Sequence, residues 1–241
     1  MNAFQRLQAR VPAHIKPYTA EQMAAIRQQE AEKTASKIRN EHLAAMAAKA
    51  VGRSGIRKKH IHCRFENYYT HTPQQRQIFA EVRRWFDGFL SGKSGGFIFA
   101  GTSGTGKNHL ACAMGNELLS QKRSVLVITV AELMSKFHES YSTKNTTEAA
   151  IIRYLSGVHY LVIDEVGRQR MSVNEQVLLG RIIDGRYQNE LPTGILTNLE
   201  QDDLIAVLGD ASVDRIMEDG GAWLSFNWAS FRRNKYMEKA A

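Results

Sequence analysis

The stretch Gly101-Thr102-Ser103-Gly104-Thr105-Gly106-Lys107-Asn108 constrains the fold more than any other part of this 241-residue chain. It has the spacing G-x-x-x-x-G-K, follows the apolar run Phe97-Ile98-Phe99-Ala100, and opens a helical pattern from Lys107 to about Gln121. Strand, glycine-rich turn and helix in that order make a phosphate-binding loop. The glycines let the backbone curl so that successive N–H groups face inward around phosphates. The helix N-terminus adds a favourable dipole, and Lys107 supplies a point charge to the β- and γ-phosphates. The position after the lysine usually carries a Ser or Thr hydroxyl for Mg²⁺. Here it is Asn108, whose amide oxygen can coordinate or hydrogen-bond a hydrated ion over a longer reach. That substitution bears on metal affinity and hydrolysis rate rather than on nucleotide binding.

A second motif, Leu161-Val162-Ile163-Asp164-Glu165, begins as a buried strand and ends in two acids, with Asp164 placed 57 residues after Lys107. Open α/β sheets hold their ligands at the carboxyl ends of strands, so Asp164 is expected beside the phosphate loop as a Mg²⁺ ligand, partly through water. Glu165 is expected to polarise the attacking water as general base. The remaining apolar runs, Val125–Val130, Gly194–Asn198 and Trp223–Phe226, complete five expected strands separated by helical patterns. Near-continuous apolar strands alternating with helices predict an α/β fold, a parallel sheet covered on both faces.

The net charge is +8, and its distribution matters more than its size. Residues 1–65 hold 13 lysines and arginines against 4 acids, while the rest of the chain is nearly balanced. A basic arm suits a polyanion or an acidic protein surface. From Thr19 to Val51 there is no Gly and no Pro, and Thr19 with Gln22 has the capping-box spacing. Met23, Ile26, Ile38, Leu43 and Met46 give this helix a thin apolar stripe, better suited to docking than to a core of its own. The run Val51-Gly52-Arg53-Ser54-Gly55 breaks the helix. Residues 1–52 are therefore expected to form a small N-terminal helical domain and residues 53–241 the nucleotide-binding domain, with the linker at its start. No stretch approaches ~18 consecutive apolar residues, which argues against a membrane span. The two cysteines, Cys63 and Cys112, fit a reducing cytoplasm. His60, His62 and Cys63 lie close together but fit no zinc spacing well.

These residues resemble a known family, the bacterial DnaC-type replicative helicase loader, an AAA+ ATPase. The resemblance is carried by Gly104–Leu110, Val125–Val130, Val162–Glu165, Pro192–Asn198 and Phe226–Trp228. Pro12–Pro17, Arg53–Arg57 and Phe65–Tyr68 add to it, so it runs nearly end to end. Asn108 agrees with that family's own phosphate loop. The resemblance implies an ATP/ADP- and Mg²⁺-dependent loader that grips a DnaB-type helicase through its N-terminal region. Such a loader places the helicase on single-stranded DNA within the primosome and self-associates through its AAA+ domains. It implies further roles: Asn198 senses the γ-phosphate, Arg215 is a finger inserted into a neighbour's site, and Arg232 is a weaker second nucleotide-sensing arginine. Phe65 and Tyr68 would lie near the adenine, and His109 beside the phosphate loop. The segment Ala131–Leu155 resembles the inserted helical element used on single-stranded DNA, where Lys136, His138, Tyr141 and Lys144, with Phe137, combine charge and aromatic surface. The C-terminal helical lid is expected to be absent, because only 43 residues follow Asn198.

Three rivals share the phosphate loop. A transposition helper ATPase has a similar core but works on duplex DNA with a transposase. A small-molecule P-loop kinase needs an acceptor pocket and an arginine-rich lid. A non-hydrolysing ATP-binding adaptor is encouraged by Asn108.

Overall fold

A computed structural model describes residues 18–51, 54–142 and 146–231. The chain divides at Leu43/Ala44 into two units. In the described N-terminal part, α1 (Ala20–Val51) is one uninterrupted helix. Its start is the capping box expected from the sequence: Gln22 N donates to Thr19 Oγ1 at 3.2 Å, and Thr19 N donates to Gln22 Oε1 at 2.9 Å. Met23 and Ile38 of the apolar stripe are exposed.

The second unit is a five-stranded, wholly parallel sheet flanked by helices, as predicted. Its elements are α2 (Pro73–Leu90), β1 (Phe97–Gly101), α3 (Lys107–Ser120), β2 (Val125–Thr129), α4 (Val130–Ser142), α5 (Glu148–Gly157), β3 (Tyr160–Val166), α6 (Val173–Gln188), β4 (Thr193–Thr197), α7 (Gln201–Leu208), α8 (Asp210–Met217) and β5 (Ala222–Phe226). The strand order is β2-β3-β4-β1-β5. Side chains along each strand alternate between two cores. Ile98, Leu126, Ile128, Leu161, Ile163 and Ile195 face the layer of α4 to α8. Phe97, Phe99, Val125, Val127, Val162 and Leu196 face α2 and α3. Both faces of β1 and β2 are buried along their whole length, which is why these strands read as apolar runs.

Local chemistry sets the ends of several elements. Thr72 and Gln75 form a capping box with Pro73 at the first helical position of α2, and Ser172 and Glu175 form another at α6. On the edge strand β2, Val127 N donates to Ser54 O at 2.9 Å. The chain leaving the linker therefore covers part of an edge that would otherwise present unpaired backbone groups. Arg186 is fully buried and donates to the carbonyls of Leu155, Val158 and Pro192. It ties the end of α5 to α6 and to the approach of β4. Among the described residues no helix is long and apolar enough to cross a membrane.

The parallel register brings every strand's C-terminal end to one side. Gly101 ends β1, Asp164 lies opposite Thr129, and Thr197 ends β4 beside Ala100. That side carries the site.

Candidate nucleotide-binding site

The loop between β1 and α3 is held open by backbone that only glycine adopts easily. Gly101, Gly104 and Gly106 have φ of 131°, 84° and 102°. Gly106 is also the N-cap of α3, and a Cβ there would lie 2.7 Å from Cε2 of Tyr68. Thr105 braces the loop from inside by donating to Thr102 O at 2.9 Å. A cleft of about 980 Å³ runs over this loop.

Lys107 is buried and its ammonium is fully engaged. It donates to Gly101 O (2.5 Å), Thr102 O (2.8 Å) and Asn198 Oδ1 (3.1 Å). Asn198, just beyond β4, also reaches Ser103 Oγ at 3.4 Å. The structure thus brings Ser103, Lys107 and Asn198 together from two adjacent strands. Asp164 and Glu165 line the same cleft.

Asp164 accepts from Glu165 N at 2.7 Å and from the amide nitrogen of Asn108. Burial pushes its carboxyl above the usual range, against the pull of these bonds and of Lys107. Asn108 differs here from the sequence expectation. A carboxylate only accepts hydrogen bonds, so the amide turns its NH₂ to Asp164, while its oxygen accepts from Cys112 Sγ at 3.5 Å. An amide nitrogen cannot ligate a cation. In this arrangement the Asn108 amide nitrogen is turned to Asp164 and orients its carboxylate. An oxygen-seeking divalent ion still finds a suitable donor in the Asp164 carboxylate, which faces the cleft.

The side expected near the base is aromatic. Tyr68 stacks on Phe79 (5.7 Å, 9°), meets His109 edge-on (5.4 Å), and lies 3.4 Å by its hydroxyl from Thr105 O. His109 Nε2 faces Arg64 O and Asn67 Oδ1, which pins the segment before α2 to the first turn of α3. Phe65 is placed elsewhere. It is buried against Phe79, Phe86 and the Arg83 guanidinium and does not line the cleft.

Arg215 lies on α8, away from its own cleft, paired with Asp184 at 3.3 Å and over the Tyr187 ring. On α4, Phe137 is core, Lys136 pairs with Glu139 at 3.0 Å, and His138 is exposed. Tyr141 is 57% exposed, with its hydroxyl donating to Glu148 at 2.8 Å. Lys144, Arg232 and Pro12–Pro17 lie outside the described residues. Cys112 is buried, and burial pushes its thiol up to about 12. Among the described residues, no cluster of His, Cys, Asp and Glu gathers that could hold a metal ion, His60, His62 and Cys63 included.

Two features of the site leave little trace in the sequence. Beyond β5, Trp228 donates from Nε1 to Thr105 O at 3.0 Å and Phe231 N donates to Gly104 O at 2.9 Å, so the chain's last described turn is strapped to the phosphate loop. The only signal is a large aromatic just past a strand whose neighbours are core. The second is an ion pair between Glu165 and Arg168 at 2.5 Å.

Residues 56–235 match the family described as IstB-like ATP binding protein. The chain is 39% identical over 230 residues to the replicative helicase loader DnaC of Escherichia coli K12, covering 95% of this chain and 94% of that one. It is 37% identical to the replicative helicase loader DnaC of Buchnera aphidicola (Schizaphis graminum), with the same coverage. Among solved structures, the DnaC helicase loader superposes with a TM-score of 0.60 at 23% identity, covering 70% of this chain and 99% of that one. The replication initiator DnaA bound to AMPPCP and single-stranded DNA superposes at 0.58 and 20%, covering 76% of this chain and 55% of that one. At those identities the two structures bear on the fold alone, which is the AAA+ fold.

Proposed function

Since the chain belongs to the IstB-like ATP-binding family and to the DnaC replicative helicase loaders, we propose that it couples ATP hydrolysis at the Lys107 cleft to placing a DnaB-type helicase on single-stranded DNA. The observation that carries the catalytic part is the convergence of Lys107, Asn198, Asp164 and Glu165 on one cleft at the strand ends.

In this reading the loop amides and Lys107 hold the β- and γ-phosphates, and Tyr68 walls the base side. Mg²⁺, when bound, neutralises phosphate charge, and Asp164 would hold it with Asn108 keeping the carboxylate turned to the cleft. The oxygen of a water bonds to the γ-phosphorus, and the bond to the β–γ bridging oxygen breaks, its electron pair leaving with ADP. Glu165 takes the water's proton. Asn198 orients the water or the γ-phosphate.

Arg215 points away from its own site, which suits a guanidinium that stabilises transition-state charge in a neighbour. Turnover by an isolated chain is then slow, and stacking of the AAA+ domains speeds it. Residues 1–52, with Met23 and Ile38 of α1 exposed, serve as the helicase-binding arm. The α4–α5 element with Lys136, His138 and Tyr141 contacts the single strand.

The test is ATP hydrolysis by the purified chain, alone and with single-stranded DNA plus the replicative helicase, with Lys107→Ala and Arg215→Ala as controls. Stimulation by both partners that disappears in both variants supports the proposal. Hydrolysis indifferent to helicase contradicts it.

A further inference from the structure

Glu165 is held by a device that the hydrolytic chemistry proposed for the cleft does not use. The register of β3 slips against β4 between Ile163 and Val166, and Glu165 sits at φ 60°, a conformation unfavourable for a residue with a Cβ. The chain then turns at once. Arg168 N donates to Glu165 O at 3.2 Å, closing a four-residue turn whose third residue, Gly167, has φ 77°. A Cβ on Gly167 would lie 2.1 Å from Cδ1 of Leu199, so a side chain there would have to displace Leu199. The turn carries Arg168 back over the residue that begins it, and its Nη1 donates to Glu165 Oε1 at 2.5 Å. Both side chains line the nucleotide cleft.

We propose that Arg168 is a positioning residue that restrains the Glu165 carboxylate, so that basal hydrolysis waits for the guanidinium to be drawn away. The inference rests on Glu165 acting as general base. Three backbone features aim the pair: the bulge, the positive φ and the packed turn. The bond from Arg168 holds Oε1 toward the turn, which restrains how the carboxylate can be presented to the lytic water. The pair is also weak enough to release, because the Arg168 and Glu165 side chains are 65% and 39% exposed. Exposed pairs of this kind are small effects, and removing the restraint is expected to change the rate roughly two- to fivefold.

The experiment compares the full-length wild-type chain, Arg168→Ala, Arg168→Lys, Glu165→Gln and the double variant Arg168→Ala/Glu165→Gln. It measures kcat without DNA or helicase, ATP affinity by direct titration, and Tm. Arg168→Ala is expected to raise kcat about two- to fivefold with ATP affinity and Tm near wild type. Arg168→Lys, which keeps the charge, returns the rate toward wild type. The gain vanishes when Glu165 is already Gln. A kcat unchanged or lowered in Arg168→Ala, with affinity retained, overturns the restraint, and so does a gain that persists in the double variant. If wild type hydrolyses through Glu165 and Arg168→Ala is no faster, only the restraint fails. If both chains bind ATP and neither hydrolyses it, even with DNA and helicase, the general-base reading fails and takes the restraint with it.

Discussion

Gly106→Ala probes how tightly the phosphate loop is built against the rest of the domain. The position has φ 102° and ψ 2° at the head of α3, and holding an L-residue in such backbone costs about 1–3 kcal/mol. The new methyl would also meet the Tyr68 ring, 2.7 Å from Cε2 and 2.9 Å from the hydroxyl oxygen. Retreat of that ring is opposed by Phe79 stacked behind it and His109 at its edge. Overpacking a fixed neighbour adds about 1–3 kcal/mol. At roughly 2–4 °C per kcal/mol for a domain of this size, the backbone term alone lowers Tm by about 2–12 °C. The assay is thermal unfolding with ATP affinity by calorimetric titration, on Gly106→Ala, Tyr68→Ala and the double variant. The double variant should recover the ring term and keep the backbone term, giving a coupling of about 1–3 kcal/mol. Strict additivity, or a Gly106→Ala chain with wild-type Tm and ATP affinity, refutes the reasoning.

Trp228→Phe keeps an aromatic beside Phe226 but removes the shorter of the two hydrogen bonds to Thr105 O. Losing one hydrogen bond of about 1 kcal/mol that steadies the loop weakens ATP binding roughly fivefold in the same titration. Asp164→Asn removes a half-buried carboxylate whose pKa is raised. A raised carboxylate pKa means the unfolded chain releases its proton first, so Asp164 costs stability as pH rises through its unfolded value toward its folded one. The free Asp164→Asn chain should therefore melt higher than wild type at neutral pH, with no such gain at pH below the unfolded value, while Mg²⁺-ATP binding weakens. Arg186→Met leaves the carbonyls of Leu155, Val158 and Pro192 without their donor, at about 1–3 kcal/mol for each buried group. Its loss should appear as a large fall in Tm and in soluble yield.

The sheet was legible because β1, β2 and β4 are buried along their whole length and β3 along most of it, so the apolar runs mark the strands to within a residue or two. The Thr19–Gln22 cap was legible because its chemistry is local. The phosphate loop was legible because its function needs glycines and a lysine at fixed spacing. What escaped depended on contacts distant in sequence or on backbone the letters do not show. Phe65 and Tyr68 read alike as aromatics of one segment, yet only Tyr68 faces the cleft. The Asn108 amide has two ends, and only the position of Asp164 decides which is turned to it. Trp228 meets Thr105 across more than a hundred residues. The Arg168 pair needs both the bulge at Asp164–Glu165 and the turn at Gly167, and the spacing alone would as easily have let both side chains point to solvent.

The most direct test of the account is transfer of the replicative helicase to single-stranded DNA. The amount of helicase encircling a DNA bound at both ends is measured with this chain and ATP, and with the Lys107→Ala and Arg215→Ala chains. The account predicts ATP-dependent loading by the wild-type chain, with release of the loader impaired in both variants. Helicase loaded equally well without the chain, or a wild-type chain that neither binds the helicase nor changes its loading, would contradict it.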